Sequence, residues 1–381
     1  MTKEEEIKEL ERQIEEYDAK AKEYHNLEQG IKLTLNSIYG AFGNSYCYFH
    51  NVDIAQSITS QGKDAILYTE RLINKYFHEA WHKDKKAHKE MGIVVEKPCK
   101  KDVSIYIDTD SIYMEFNELM KNCSGWEGTE KEFVMKLYQV RLKGYIERIL
   151  QNYADHFNAE NFLVFELETI SKSAIWLSKK KYIKDLIWHD PDLDYESGTH
   201  VESKGIEIIQ SSTPIFARTH LQELATYLLL TDNINIKEFT NKLKSIKRQF
   251  KLANIDDISF SKRVNNYKQY IVNDYDKFEF GLKCPPGVKA AGYHNYLLNN
   301  SKYREKYNLI GNGEKLKIYY SKDPHCEVFA YSPGDFPSEI APDIDYDTQF
   351  EKCILDPINR FVKVMGYKEY DKNLLYTSSV F

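Results

Sequence analysis

Ser104-Ile-Tyr-Ile-Asp-Thr-Asp-Ser-Ile-Tyr-Met-Glu-Phe116 sets two apolar arms on either side of a polar tip, Asp108, Thr109, Asp110 and Ser111. Val103, Ile105 and Ile107 recur at a period of two on the way in, and Ile112, Met114 and Phe116 do so on the way out. The stretch therefore predicts a β-hairpin with one apolar face, and Asp and Ser suit its tight turn. Two carboxylates then share a strand end, where like charges close together repel unless a cation neutralises them. The tip is a candidate divalent-metal site. A solvated Asp-rich turn is the competing reading, and for a bare Asp-x-Asp it is the commoner one.

The rest of the composition sets limits. With 381 residues, 42% of them hydrophobic, the chain has room for two or three domains and a sizeable core. Its apolar runs are short and broken by charge, and Met-Thr-Lys-Glu-Glu-Glu at the N-terminus has no signal-peptide character, so a cytoplasmic location without a membrane partner is expected. Cys47, Cys99, Cys123, Cys284, Cys326 and Cys353 form no Cys-x-x-Cys pair, which argues against a zinc or iron–sulfur site and against a disulfide framework. A net charge of −6 gives no global pull toward a polyanion, so nucleic-acid binding has to come from local clusters. The 29 tyrosines are compatible with base stacking but more often mean an aromatic core.

In chain order, Ile7, Leu10, Ile14, Tyr17, Ala21 and Tyr24 lie three and four apart in a charged segment and predict a helix with a narrow apolar seam. The helix continues through Ile31-Lys-Leu-Thr-Leu-Asn-Ser-Ile-Tyr-Gly40, placing Lys32, Asn36 and Tyr39 on one face. A cation, an amide and an aromatic ring there can take a phosphate, a further oxygen and a sugar or base, and Gly40 permits close backbone approach. A simply wet face is the alternative. Residues 51–80 read as a helix with Ile54, Ile58, Ala65, Leu72 and Phe77 toward the core. His82 to Lys101 reads as a surface loop with solvated histidines, His82 and His88.

Residues 130–158 read as helix, and Phe162 to Trp188 as two or three strands of the hairpin's own sheet, including Leu163–Ile170 and Ala174–Leu177. Glu166 and Glu168 are candidates to support the tip from the strand. Lys179, Lys180, Lys181 and Tyr182 sit between apolar strands, and consecutive lysines there can offer alternate strand faces to a phosphate backbone, or protect an edge strand. A mainly helical region is expected after Lys204, with cations at Lys242, Lys244, Lys247, Arg248, Lys251, Lys262, Arg263, Lys283 and Lys289. An apolar tail ends at Phe381.

Taken in this order, the motifs resemble those of family B DNA polymerases. Lys32-Leu-Thr-Leu-Asn-Ser-Ile-Tyr-Gly40 is similar to the fingers motif Lys-x-x-x-Asn-Ser-x-Tyr-Gly, Tyr106-Ile-Asp-Thr-Asp-Ser111 to the palm motif Tyr-Gly-Asp-Thr-Asp-Ser, and Lys180-Lys181-Tyr182 to the Lys-x-Tyr element. Ile107 departs from the family glycine. The larger departure is that the exonuclease domain, the first aspartate motif Asp-x-x-Ser-Leu-Tyr-Pro-Ser and a second fingers helix have no counterpart, so the chain resembles the C-terminal half. The resemblance implies an α+β right-hand polymerase: fingers helix 1–44, antiparallel-sheet palm 45–204, and mainly helical thumb 205–381 ending in a clamp-binding tail, Leu374 to Phe381.

The resemblance further implies nucleotidyl transfer with two Mg2+ ions, or Mn2+, held by Asp110 and Asp108. Lys32, Asn36 and Tyr39 would contact the incoming dNTP, and Gly40 and Lys179 to Tyr182 the primer–template. The implied partners are an N-terminal chain carrying the exonuclease and first aspartate, and a sliding clamp. An Asp-x-Asp glycosyltransferase leaves the Lys32–Gly40 block unexplained. A non-catalytic DNA-binding or scaffolding subunit of a replication complex is the stronger rival.

Overall fold

The computed structural model describes residues 3–191, 193–270 and 284–371. The chain divides into two compact units, Met1–Glu166 and Leu167–Phe381. Among the described residues no helix is long and apolar enough to cross a membrane. The tail Leu374–Phe381, and Lys283, lie outside the described residues.

The first unit opens with α1 (Lys3–Gly43), whose surface carries ion pairs one turn apart such as Lys20 to Glu16 at 2.8 Å. The seam forms as expected and runs further: Ile31, Leu35 and Ile38 continue the three-and-four spacing. Ile7, Leu10, Ile14, Tyr17, Tyr24, Ile31, Leu35 and Ile38 are each more than half exposed. This unburied stripe contrasts with α2 (Val52–Lys75), which starts on an Asn51 cap accepting from the Ile54 amide at 3.1 Å.

On α2, Ile54 and Ile58 are 42% and 48% exposed rather than core. Apart from Ala55, the buried stretch runs from Ala65, where α6 (Lys143–His156) reaches the helix through Tyr153 to Asp64 at 3.1 Å and Tyr145 to the Leu72 carbonyl at 3.2 Å. From there Ile73, Tyr76, Phe77 and Trp81 enter a core shared with Val103, Phe133, Leu137 and Leu150. Truncating such a ring to alanine costs about 3–5 kcal/mol.

The stretch from His82 to Lys101 is ordered, which corrects the expectation of a surface loop. Asp84 caps α3 (Lys85–Met91), accepting from the Ala87 amide at 3.1 Å, and Gly92 ends it at φ 71°. Ile93, Val95 and Cys99 then drop into the core, and β1 (Val94–Val95) follows. His88 is buried edge-on against Trp81, 4.8 Å between ring centres, and burial lowers its pKa. Apolar neighbours at Ala87, Met91 and Ile93 carry the histidine inward with them.

The hairpin is formed by β2 (Ser104–Asp108) and β3 (Ser111–Met114). After it come α4 (Asn117–Lys121), β4 (Cys123–Ser124), which pairs with β1, and α5 (Glu130–Leu137), opened by a Thr129–Glu132 capping box.

In the second unit β5 (Thr169–Ser178), β6 (Lys181–His189), β7 (Leu193–Asp194) and β8 (Val201–Lys204) form a four-stranded antiparallel sheet. Among the described residues the hairpin's ladder holds two strands, so these strands are not paired with it as expected. The strand expected from Leu163 begins at Thr169. Leu163 to Glu168 alternates like a strand but has no ladder, and Phe162 and Val164 are 80% and 74% exposed. Alternation specifies a face; pairing needs a neighbour.

The helical region expected after Lys204 starts at α7 (Ile215–Leu230), which packs with α8 (Ile236–Leu252) around Leu221, Leu224, Leu228, Phe239, Leu243 and Phe250. The short α9 (Ile255–Ile258) leads into β9 (Phe260–Arg263), and α10 (Tyr267–Tyr270) and α11 (Pro286–Asn299) follow. β10 (Lys315–Tyr320) and β11 (Val328–Tyr331) complete a second sheet, order β11–β10–β9, around Tyr319, Phe329 and Tyr331. This sheet was not legible as such. Among the described residues the last helices are α12 (Tyr346–Phe350) and α13 (Asp356–Val364). All six cysteines are free, with Cys99, Cys326 and Cys353 buried.

Candidate active site

The hairpin closes on two residues, Thr109 and Asp110, between the paired Asp108 and Ser111. The turn is sharp: the Asp110 amide donates to the Asp108 carbonyl at 2.6 Å, and Thr109 sits at φ 55°. A β-branched residue in the left-handed region stores about 1–3 kcal/mol of strain, which persists only where the surroundings enforce it. The Thr109 hydroxyl donates to Asp108 Oδ1 at 3.2 Å, and the Ser111 hydroxyl to Asp110 Oδ1 at 3.3 Å. Asp108 is buried and Asp110 exposed. One carboxylate faces solvent and the other backs it.

A bulge at Ile105 breaks the period of two on the incoming strand. Ser104 pairs with Met114 and Tyr106 with Tyr113, so Ile105 is the extra residue. Val103 is therefore buried at 1% while Ile105 stands 49% exposed, and the three do not share a face as the sequence pattern suggested. The bulge also sets Tyr106 against Tyr113, ring centres 5.5 Å apart, beneath the tip.

The base of the hairpin is held from α2, by residues the sequence reading passed over. Asn74 Oδ1 accepts from the Val103 and Ser104 amides at 3.0 and 3.1 Å, and its amide donates to Glu70 Oε1 at 2.9 Å. The Ser104 hydroxyl donates to the same Glu70 oxygen at 2.5 Å. The missed signal was polar residues at positions 70 and 74, one turn apart on the face that turns toward the core.

Asp110 offers two acceptor oxygens to solvent and suits direct coordination of a hard divalent cation; buried Asp108 suits a supporting place. Among the described residues no three His, Cys, Asp or Glu side chains cluster as a metal site. The tip itself brings two carboxylates, Asp108 and Asp110, to one strand end. Glu166 and Glu168 are both exposed.

On α1, Lys32, Asn36 and Tyr39 share one exposed face as expected, one position along from Ile31, Leu35 and Ile38. The polar trio and the seam therefore occupy neighbouring faces, about 100° apart around the helix. Among the described residues nothing lies within 4 Å of where a Cβ on Gly40 would stand.

Lys179 and Lys180 form the turn between β5 and β6, with Lys180 at φ 62°. Both are exposed, whereas Tyr182 is buried, its ring 5.8 Å from Trp176 and 5.9 Å from the Lys204 ammonium. Tyr182 holds the lysines' strand from behind. Lys181 lies 3.9 Å from Glu207. Among the later cations Lys247 is buried and paired with Asp347 at 3.0 Å, so it is not a surface group. Lys262 and Arg263 are exposed on β9, and Arg263 sits directly across from Lys315.

The family model described as DNA polymerase family B matches residues 1–279, a span that holds the α1 trio, the acidic hairpin and the lysine turn. The chain belongs to DNA polymerase family B. This family B chain is 23% identical, over 90% of its length, to the DNA-directed DNA polymerase of Escherichia phage RB69, and 22% identical, over 94%, to that of Enterobacteria phage T4. It spans 37% and 39% of those two proteins. The DNA polymerase alpha catalytic subunit of Xenopus laevis is 28% identical over 49% of the chain and 10% of its own length.

Proposed function

We propose that this chain is the C-terminal part of a DNA-directed DNA polymerase that extends a primer 3′-end with dNTPs. The observation that carries the reading is the exposed Asp110 carboxylate at a strained hairpin tip, backed by buried Asp108, in a chain of this family. Asp110 would hold magnesium directly and Asp108 would support the site. When bound, two such ions activate the primer hydroxyl and neutralise the departing pyrophosphate. Lys32 and Asn36 bind the triphosphate, and Tyr39 with Gly40 lines the nascent base pair.

Lys179 and Lys180 hold the primer–template backbone. The residues after Lys204 grip duplex product, and the facing cations Arg263 and Lys315 support this, since like charges directly across a ladder destabilise it without an anion. The tip brings two carboxylates, and the remaining aspartate comes from an N-terminal polymerase chain. The exposed seam of α1 is where a fingers helix of that chain packs, and Leu374–Phe381 is the segment for a sliding clamp. The reaction belongs in the cytoplasm in which the genome replicates.

Mixing tests the reading. Magnesium-dependent primer extension is expected when this chain meets an N-terminal family B fragment carrying the first aspartate motif, and not from either alone. Extension by this chain alone would overturn the shared site, and none from the mixture would overturn the polymerase reading.

A further inference from the structure

The strap from Cys99 to Ser104, which delivers the chain into β2, is tied to one stripe of α2 and the turn that extends it. Glu70 and Asn74 hold its end, as described. One turn on, His78 holds its beginning: Nδ1 lies 2.7 Å from the Cys99 carbonyl oxygen and Nε2 lies 2.8 Å from Asp102 Oδ1. The Cys99 amide donates to the Phe77 carbonyl at 3.3 Å, and on the far side the Glu115 amide donates to the Val103 carbonyl at 2.7 Å.

We propose that Glu70, Asn74 and His78 form a proton-dependent clamp that positions the acidic hairpin, closed when His78 is protonated on both ring nitrogens. The geometry requires both protons. A carbonyl and a carboxylate oxygen only accept, so a neutral imidazole satisfies one contact and turns a lone pair toward the other. His78 side-chain exposure of 32% leaves it open to proton exchange. Its hydrogen bond to Asp102, and then that to the Cys99 carbonyl, raise its pKa above 6.5. The charged groups around it are Asp102 on the strap and Glu118 on α4, which favour the cation, and Asp64, Glu70, Arg71, Lys75 and Glu79 on its own helix and the turn that extends it.

The sign follows from the raised pKa. The clamp's contribution is fully present below about pH 6.5 and is lost as pH rises through the higher folded value. The strap then loosens from its Cys99 end while Asn74 still holds Val103 and Ser104. His78 is thus a positioning residue, remote from the tip. Its effect on catalysis rests on the polymerase reading; the clamp itself does not.

Two measurements on the full chain decide it. Imidazole nitrogen shifts should show His78 bearing both protons when the clamp is closed and titrating above the ordinary imidazole value of 6.5. Amide-exchange protection at Cys99, whose amide bonds the Phe77 carbonyl, should fall about tenfold from about pH 6 to about pH 9 while that at Val103 and Ser104 holds, and the Cys99 value should stay flat in His78→Gln. Titration at or below 6.5, or the same pH dependence in both proteins, overturns the clamp. If His78→Gln does not fold, the titration of the parent chain decides alone. Primer extension with the N-terminal fragment is scored separately: clamp signals without extension retire the polymerase reading and leave the clamp, whereas extension without clamp signals does the reverse.

Discussion

The chain carries two hairpins with tips of opposite charge, and each forces a side chain into the left-handed region, Thr109 at φ 55° and Lys180 at φ 62°. They differ in what enforces it. Among the described residues the acidic tip ends a two-stranded ladder, a form that is marginal on its own, and side-chain hydrogen bonds from Glu70 and Asn74 fix its base. The basic tip belongs to a four-stranded sheet packed on an apolar core through Ile183, and backbone packing fixes it. Gly205 passes so close beneath Lys180 that a Cβ there would lie 2.0 Å from its carbonyl oxygen. A metal site needs carboxylates placed finely by adjustable polar contacts. A phosphate grip needs only charge on a firm support.

Substitutions can break this contrast. Gly205→Ala combines a steric clash with φ +66° and should cost about 3 kcal/mol in denaturant unfolding, because the turn cannot move away. Asn74→Ala orphans the Val103 and Ser104 amides and should cost about 2 kcal/mol, with exchange rising at the hairpin and not at β5–β6. Lys179→Ala with Lys180→Ala should leave stability unchanged while weakening primer–template binding about tenfold and lowering the salt slope by about 2. The smallest effect is that of Thr109→Gly, which relieves the left-handed strain and should stabilise by about 1 kcal/mol. A cost instead would mean that the turn is not strained.

The hairpin and the α1 faces were legible because each rests on local spacing and turn chemistry, whereas the lysines expected on alternate faces of a strand form the turn between β5 and β6. What escaped was long-range. Leu163 to Glu168 alternates like a strand but forms no strand ladder among the described residues, because pairing depends on which edges other strands occupy. Ile105 was displaced by a bulge that no single-strand pattern announces. His88 looked solvated among lysines, yet Trp81 and Met91 draw its helix into the core. Of the site, the two aspartates were visible in sequence, whereas Glu70 and Asn74 became visible only once α2 and β2 were side by side.

The central claim is that Asp110 supplies a carboxylate to the catalytic metal. The direct test is Asp110→Asn, which keeps the side chain's shape and removes its charge, measured for single-turnover extension and primer–template affinity beside the N-terminal fragment. Turnover should fall by about a thousandfold or more with DNA affinity unchanged. Extension at near the parent rate would contradict the account.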